Sequence, residues 1–215
     1  MLLGGFAWDV KRSGATAVYG PMTDYIDAQG FRANVGIVLM RGDGRVFLGG
    51  RTGGRGWQFP QGGIRPDEPF ESALYRELEE EIGLAAPDVE LLGETRGWMR
   101  YKLPRQYVRR NGLQRCIGQK QRWALLRLRG EEDRLRFDAT DAPPEFDRFR
   151  WAEFWDPIRE VIFFKRGVYR RALHELGRIA FPAGLPPYPS WWEEEAARAA
   201  ADGGSDDGGP PRASG

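Results

Sequence analysis

The chain has 215 residues, 41% hydrophobic and 29% charged, with 32 basic side chains against 31 acidic ones and a net charge of +1. That length suits one domain with a real core plus tails, and the near-neutral balance excludes a global field that would advertise nucleic acid, so any basic surface must be local. A single cysteine, Cys116, excludes an internal disulfide and fits a reducing compartment, and a single histidine, His174, excludes a histidine metal cluster. No apolar run approaches the roughly 18 residues of a membrane helix. The first residues lack the order of a signal peptide, so a cytoplasmic location is expected.

Residues 1–21 contain Gly4, Gly5, Gly14, Gly20 and Pro21 and show no period. They read as an extension, drawn here as residues 1–29, with Met22 an alternative start. Residues 34–40 are a strand-like apolar run. Arg41-Gly42-Asp43-Gly44 has hairpin chemistry, and residues 45–48 return. Residues 49–56 read as a loop carrying Arg51 and Arg55, and residues 57–59 as a short strand. From Glu68 to Leu84 the period is helical: Phe70, Leu74, Leu78 and Ile82 make one apolar stripe. Glu77, Glu80 and Glu81 share another face, and Gly83 supplies a left-handed stop. Three carboxylates that close repel and raise one another's pKa. A solvated acidic face is one reading. The other is a seat for a hard divalent cation, since carboxylate oxygens suit magnesium or manganese.

Residues 89–92, 98–102 and 116–128 are further strand candidates, with the basic Arg105, Arg109, Arg110 and Arg115 between the last two. Residues 130–147 are polar and proline-rich, hence loop. Residues 149–155 suggest a strand and turn. Asp156-Pro157-Ile158 opens a helix, and Phe164-Lys165-Arg166 starts or joins another that runs through Leu176. One helix among strands, then late helices, predicts an α+β fold with a mixed sheet between helices. The domain is drawn as residues 30–181. Residues 182–215 form a tail, with a short amphipathic segment at 191–201 and a disordered Gly/Asp/Pro-rich end.

Gly62, Glu68 and the run Arg76-Glu77-Leu78-Glu79-Glu80-Glu81-Ile82-Gly83-Leu84 resemble the Nudix box at every defining position. The resemblance implies a Nudix hydrolase, which cleaves a diphosphate linked to another moiety. It implies a loop-helix-loop that holds divalent metal, magnesium or manganese, against the diphosphate. Further segments are similar to the RNA pyrophosphohydrolase branch, which shares sequence with dinucleoside polyphosphate hydrolases. These include Phe31-Arg32-Ala33-Asn34-Val35-Gly36, Trp57-Gln58-Phe59-Pro60-Gln61, Arg100-Tyr101-Lys102-Leu103-Pro104, Ile117-Gly118-Gln119-Lys120-Gln121, Pro144-Glu145-Phe146-Asp147 and the run from Phe164 to Arg171. The likeness spans residues 30–178 and departs in both termini and at Thr52-Gly53-Gly54.

What the resemblance implies is removal of pyrophosphate or phosphate from a 5′-tri- or diphosphate RNA end, leaving 5′-monophosphate RNA and promoting mRNA decay. Glu77, Glu80, Glu81 and Glu145 become the metal ligands, with Glu77 either a ligand or the base that orients water. Arg76 would hold a box carboxylate. Arg32, Arg51, Lys120 and Lys165 would neutralise the polyphosphate, and Phe164 would stack on the first base. A solvated charge is the competing reading for each arginine, a core aromatic for Phe164, and a loop acid for Glu145. The alternative substrate is a dinucleoside polyphosphate such as diadenosine tetraphosphate. A catalytically silent RNA-binding module is a third reading, against which the complete set of glutamates argues. No membrane and no stable protein partner is implied.

Overall fold

The computed structural model describes residues 26–54, 56–111, 114–139, 143–194 and 197. The predicted extension up to residue 25, the 202–215 end and Arg55 lie outside the described residues. Among the described residues ten strands run in chain order: β1 (Phe31–Met40), β2 (Val46–Arg51), β3 (Trp57–Gln58), β4 (Gln61–Gly63), β5 (Val89–Glu94), β6 (Met99–Lys102), β7 (Arg109–Asn111), β8 (Gln114–Cys116), β9 (Gly118–Leu128) and β10 (Phe146–Ala152). The helices α1 (Phe70–Ile82), α2 (Pro157–Glu160) and α3 (Arg166–Ala180) join them. The main sheet has the order β10-β2-β1-β9-β5, with β3, β4 and β6 attached to β2, β1 and β9. It is mixed: β1 lies parallel to β9 and antiparallel to β2 and β4.

Alternation along the strands assigns the two faces. Ala33, Val35, Ile37 and Leu39 of β1 and Ala124 and Leu126 of β9 pack on Ala73, Leu74, Leu78 and Ile82 of α1. Phe70, the first member of the stripe, packs half-buried against this core, under the Arg122 guanidinium. On the opposite face Trp123 of β9 meets Tyr169 of α3 and Phe59, with ring centroids 5.0 to 5.9 Å apart. The sheet therefore lies between α1 and α3, the expected α+β arrangement. A Cβ on Gly36 would stand 2.5 Å from the Trp123 ring. That indole is fully buried and has no room to yield. Gly36→Ala is expected to lower stability by about 1–3 kcal/mol, read as a lower urea midpoint with an unchanged slope.

Several boundaries differ from expectation. Gly49, Gly50 and Arg51 belong to β2 and not to a loop, because β10 pairs antiparallel alongside them. Cβ atoms there would strike Phe146 Cδ1 at 2.5 Å and Arg148 Cγ at 2.6 Å. β10 starts at Phe146, inside the stretch expected to be loop. β7 and β8 form a separate two-stranded sheet where only a basic stretch was foreseen. α1 begins at Phe70, since Asp67 takes a left-handed φ of 60° in the turn before it. Gly83, at φ 72°, ends the helix and its N–H donates to the Glu79 carbonyl at 3.0 Å. A second compact unit begins at Pro186, and in it the Tyr188 and Trp192 rings sit 4.4 Å apart.

Candidate active site

Helix α1 carries its acidic face into a set of local contacts. Glu77 is buried, Glu80 and Glu81 are half-buried, and Glu71 and Glu79 point to solvent. Arg76 ties the set together. Its Nε and Nη2 grip both oxygens of Glu68 at 2.8 and 2.9 Å, Nη1 reaches Glu77 at 2.6 Å and Glu80 at 3.4 Å, and Nη2 also reaches the Gly63 carbonyl at 2.8 Å. Glu68 in turn accepts the Arg65 backbone N–H at 2.8 Å. Burial opposes the charge on Arg76, but Glu68 and Glu77 hold its pKa above the usual guanidinium value. This fork is what arginine provides and lysine does not. Arg76→Lys is expected to cost roughly tenfold or more in kcat/KM by loosening Glu77, with Glu68→Gln giving a similar loss.

Strand β4 supplies the floor. A Cβ on Gly62 would lie 1.7 Å from Glu77 Oε2, so the carboxylate occupies the space a side chain would fill. Next to it, the Gln61 backbone N–H donates to Glu81 Oε2 at 3.0 Å. Gln61 Oε1 accepts from Gln121 Nε2 at 3.2 Å.

Glu145 arrives from the loop before β10. Its Oε1 accepts from Arg51 Nε at 3.1 Å and from Gln58 Nε2 at 3.1 Å, while Thr52 N–H donates to its carbonyl at 3.0 Å. Lys165 is only 3% exposed and its Nζ donates to Gln58 Oε1 at 3.4 Å. Gln58 thus connects an acid and a base that are 20 positions apart in the chain, Glu145 and Lys165.

Electrostatics bind these groups into one site. Burial pushes Glu81 well above the usual carboxylate range, and the charges of Glu77 and Glu145 add to it. Burial also raises Glu77 against the pull of Arg76, and raises Glu145 against the pull of Arg51 and Lys165. Burial, then the nearby Arg51 charge, brings Lys165 down to about 7 despite Glu145 and Glu81. Arg32, on β1, stabilises the charged form of Glu77 and disfavours that of Lys165. Phe164 stacks on Tyr101 at 5.8 Å and touches Tyr107 at 5.2 Å.

The structure therefore brings together Glu77, Glu80, Glu81, Glu145, Arg76, Arg32, Arg51, Lys165 and Gly62. Lys120 stands in register with Ala33 of β1, its Nζ paired with Asp27 at 2.9 Å and 5.1 Å from the Trp98 ring centroid. Sequence reasoning passed over a set of buried amides. Asn34, Gln58, Gln61, Gln119 and Gln121 are all under 9% exposed. The available signal was polar residues inside runs read as strand, where a buried amide needs a partner. Asn34 Oδ1 and Gln121 Oε1 have no hydrogen-bond partner among the described residues.

The donor set suits a hard divalent cation. It offers only carboxylate oxygens, and Glu77, Glu81 and Glu145 are mutually repelling and partly desolvated. Among the described residues, no three His, Cys, Asp or Glu side chains are drawn together closely enough to hold an ion as they stand. Arg76 and the Gln61 N–H hold the α1 carboxylates instead.

Residues 30–176 match the NUDIX domain. The chain belongs to the Nudix family. Two relatives are named RNA pyrophosphohydrolase. That of Alkalilimnicola ehrlichii is 57% identical over 164 residues, covering 76% of this chain and 90% of the relative. That of Xanthomonas oryzae pv. oryzae is 59% identical over 155 residues, covering 72% and 75%. Among solved structures, a Caenorhabditis elegans Ap4A hydrolase binary complex matches with a TM-score of 0.50 at 19% identity, over 71% of this chain and 99% of that one, a likeness of fold. As a Nudix pyrophosphohydrolase the chain is an enzyme. No helix among the described residues is long and apolar enough to cross a membrane.

Proposed function

We propose that this chain is an RNA pyrophosphohydrolase that hydrolyses the phosphoanhydride at a 5′-tri- or diphosphate RNA end and leaves 5′-monophosphate RNA. The observation that carries the reading is the meeting of Glu77, Glu81 and Glu145 with Arg51 and Lys165 in one site. Its agreement with the relatives' names selects RNA among phosphoanhydride substrates.

In this reading Arg32, Arg51 and Lys165 neutralise the polyphosphate, Arg51 as a fork and Lys165 as a point charge. Phe164, already backed by Tyr101 and Tyr107, presents a stacking surface to the first base. Glu77, Glu80, Glu81 and Glu145 would hold the divalent cation, magnesium or manganese, which when bound supplies neutralisation of the phosphoryl oxygens. Glu77 is either one of these ligands or the base that takes the proton of the attacking water. Arg76 keeps Glu77 and Glu80 in register through Glu68.

The test is a parallel assay of purified protein with magnesium on 5′-triphosphate RNA and on diadenosine tetraphosphate. Release of pyrophosphate or phosphate and formation of 5′-monophosphate RNA is the expected result. Cleavage of the dinucleotide alone would replace this reading by a dinucleoside polyphosphate hydrolase, and cleavage of neither by a silent RNA-binding module.

A further inference from the structure

Strand β10 breaks its own alternation next to the site. Arg148 and Arg150 stand together over the Trp57 ring, 5.2 and 4.9 Å from its centroid. Phe149 and Trp151 point the other way, with ring centroids 5.5 and 6.0 Å from that of Phe47. Continued backwards, a period of two would put Phe146 with the arginines. Phe146 is instead fully buried beside Phe47, the two centroids 6.2 Å apart. The cause is in the pairing. Phe146 lies opposite Arg51 and Arg148 opposite Gly50, which leaves Asp147 as an extra residue in the ladder. Such a bulge adds one residue to one strand and re-aims the side chains next to it.

The side chain that matters here is that of Glu145. Had the alternation run on unbroken, residue 145 would share the face of Phe149 and Trp151, and its carboxylate would enter an aromatic core. With the bulge, Glu145 turns to where Arg51 and Gln58 reach its Oε1 at 3.1 Å each. Contacts from the end of β2 clamp the turn. Thr52 Oγ1 donates to the Pro144 carbonyl at 2.7 Å, and Thr52 N–H to the Glu145 carbonyl at 3.0 Å. The N–H of Gly53, which takes a left-handed φ of 77°, donates to Asp147 Oδ2 at 3.2 Å. Donors on Thr52 and Gly53 thus hold the residue before Glu145, Glu145 itself and the bulge after it. The other Asp147 oxygen accepts from Arg148 Nη1 at 2.6 Å. An exposed ion pair of that kind stabilises little by itself.

We infer that Asp147 and Thr52 are positioning residues for Glu145. The Asp147 bulge turns the Glu145 carboxylate out of the core, and both side chains fix that turn against the end of β2. The inference rests on the reading above of Glu145 as a ligand of the divalent cation. Contacts that orient a ligand from behind set how tightly the ion is held, although they do not touch it.

The test reads two quantities in each variant: the magnesium-induced rise in melting temperature, and the magnesium concentration for half-maximal cleavage of 5′-triphosphate RNA. Asp147→Ala is expected to melt like the wild type without metal, to lose most of the magnesium-induced rise and to need about tenfold more magnesium. Asp147→Asn keeps an oxygen for the Gly53 N–H and should restore both readouts. Thr52→Val, which loses only the hydroxyl, should move both in the direction of Asp147→Ala, and Thr52→Ser should restore them. The Thr52 pair decides the matter if Asp147→Ala folds poorly. A wild-type magnesium response in folded Asp147→Ala or in Thr52→Val, or a fall confined to metal-free melting, would overturn the inference. So would an Asp147→Asn as impaired as Asp147→Ala, since the effect would then belong to the charge. In those cases Glu145→Gln still loses the magnesium response. If Glu145→Gln keeps it, Glu145 is not a ligand, and the inference falls with that reading. The melting arm uses magnesium alone, so it holds whichever phosphoanhydride is the substrate.

Discussion

Glu81→Gln is expected to lower kcat by roughly 10²- to 10³-fold, the usual loss when one group that balances developing charge is removed. The folded protein should survive the change. Gln retains an oxygen to accept the Gln61 N–H that Glu81 now accepts at 3.0 Å. It also removes a charge that burial, Glu77 and Glu145 all disfavour. The metal-free variant should therefore melt at or above the wild-type temperature. Magnesium should raise the wild-type melting temperature, because an ion that binds only the folded state stabilises it, and should raise that of the variant much less. Two independent readouts thus move in opposite senses, turnover down and metal-free stability level or up. Near-normal turnover at saturating magnesium would remove Glu81 from the site. A large fall in melting temperature would make its role structural.

Much of this site could be read from one dimension because α1 is a helix. A period of 3.6 sorts Leu74, Leu78 and Ile82 from Glu77, Glu80 and Glu81 with no knowledge of the rest of the chain. The structure buries the first set, ties Glu77 and Glu80 to Arg76, and ties Glu81 to the Gln61 N–H. The sheet was less legible. Gly49 and Gly50 are ordinary turn residues by composition. What places them in β2 is the Phe146 ring and the Arg148 side chain, about 100 residues away, which need the room. The contacts of Lys120 were illegible for a related reason: its strand was recognisable, but which face a strand residue takes depends on register, and a shift of one residue reverses it. Gln58 shows a third limit. A polar residue between Trp57 and Phe59 says that something polar awaits it, while the identities of Glu145 and Lys165 come only from the fold.

Gly62→Ala separates positioning from stability most sharply. Gly62 does not need a positive φ, since it is absent from the left-handed glycines of the chain. What it provides is empty space on β4. An alanine Cβ would stand 1.7 Å from Glu77 Oε2 and 1.8 Å from its Cδ, well inside contact distance. The obstacle is the tip of a flexible side chain and not backbone, so the helix and strand need not part. Stability should fall by about 1 kcal/mol or less. The Glu77 carboxylate must leave its place, however, and with it the 2.6 Å contact to Arg76. A displacement of about 1 Å in a reacting constellation costs on the order of 10²-fold. The loss should appear in kcat. A double-mutant cycle makes the cause explicit: if Gly62 acts by seating Glu77, then Gly62→Ala added to Glu77→Gln should cost little more than Glu77→Gln alone. Full additivity of the two losses would mean that Gly62 serves the reaction by some route other than this carboxylate.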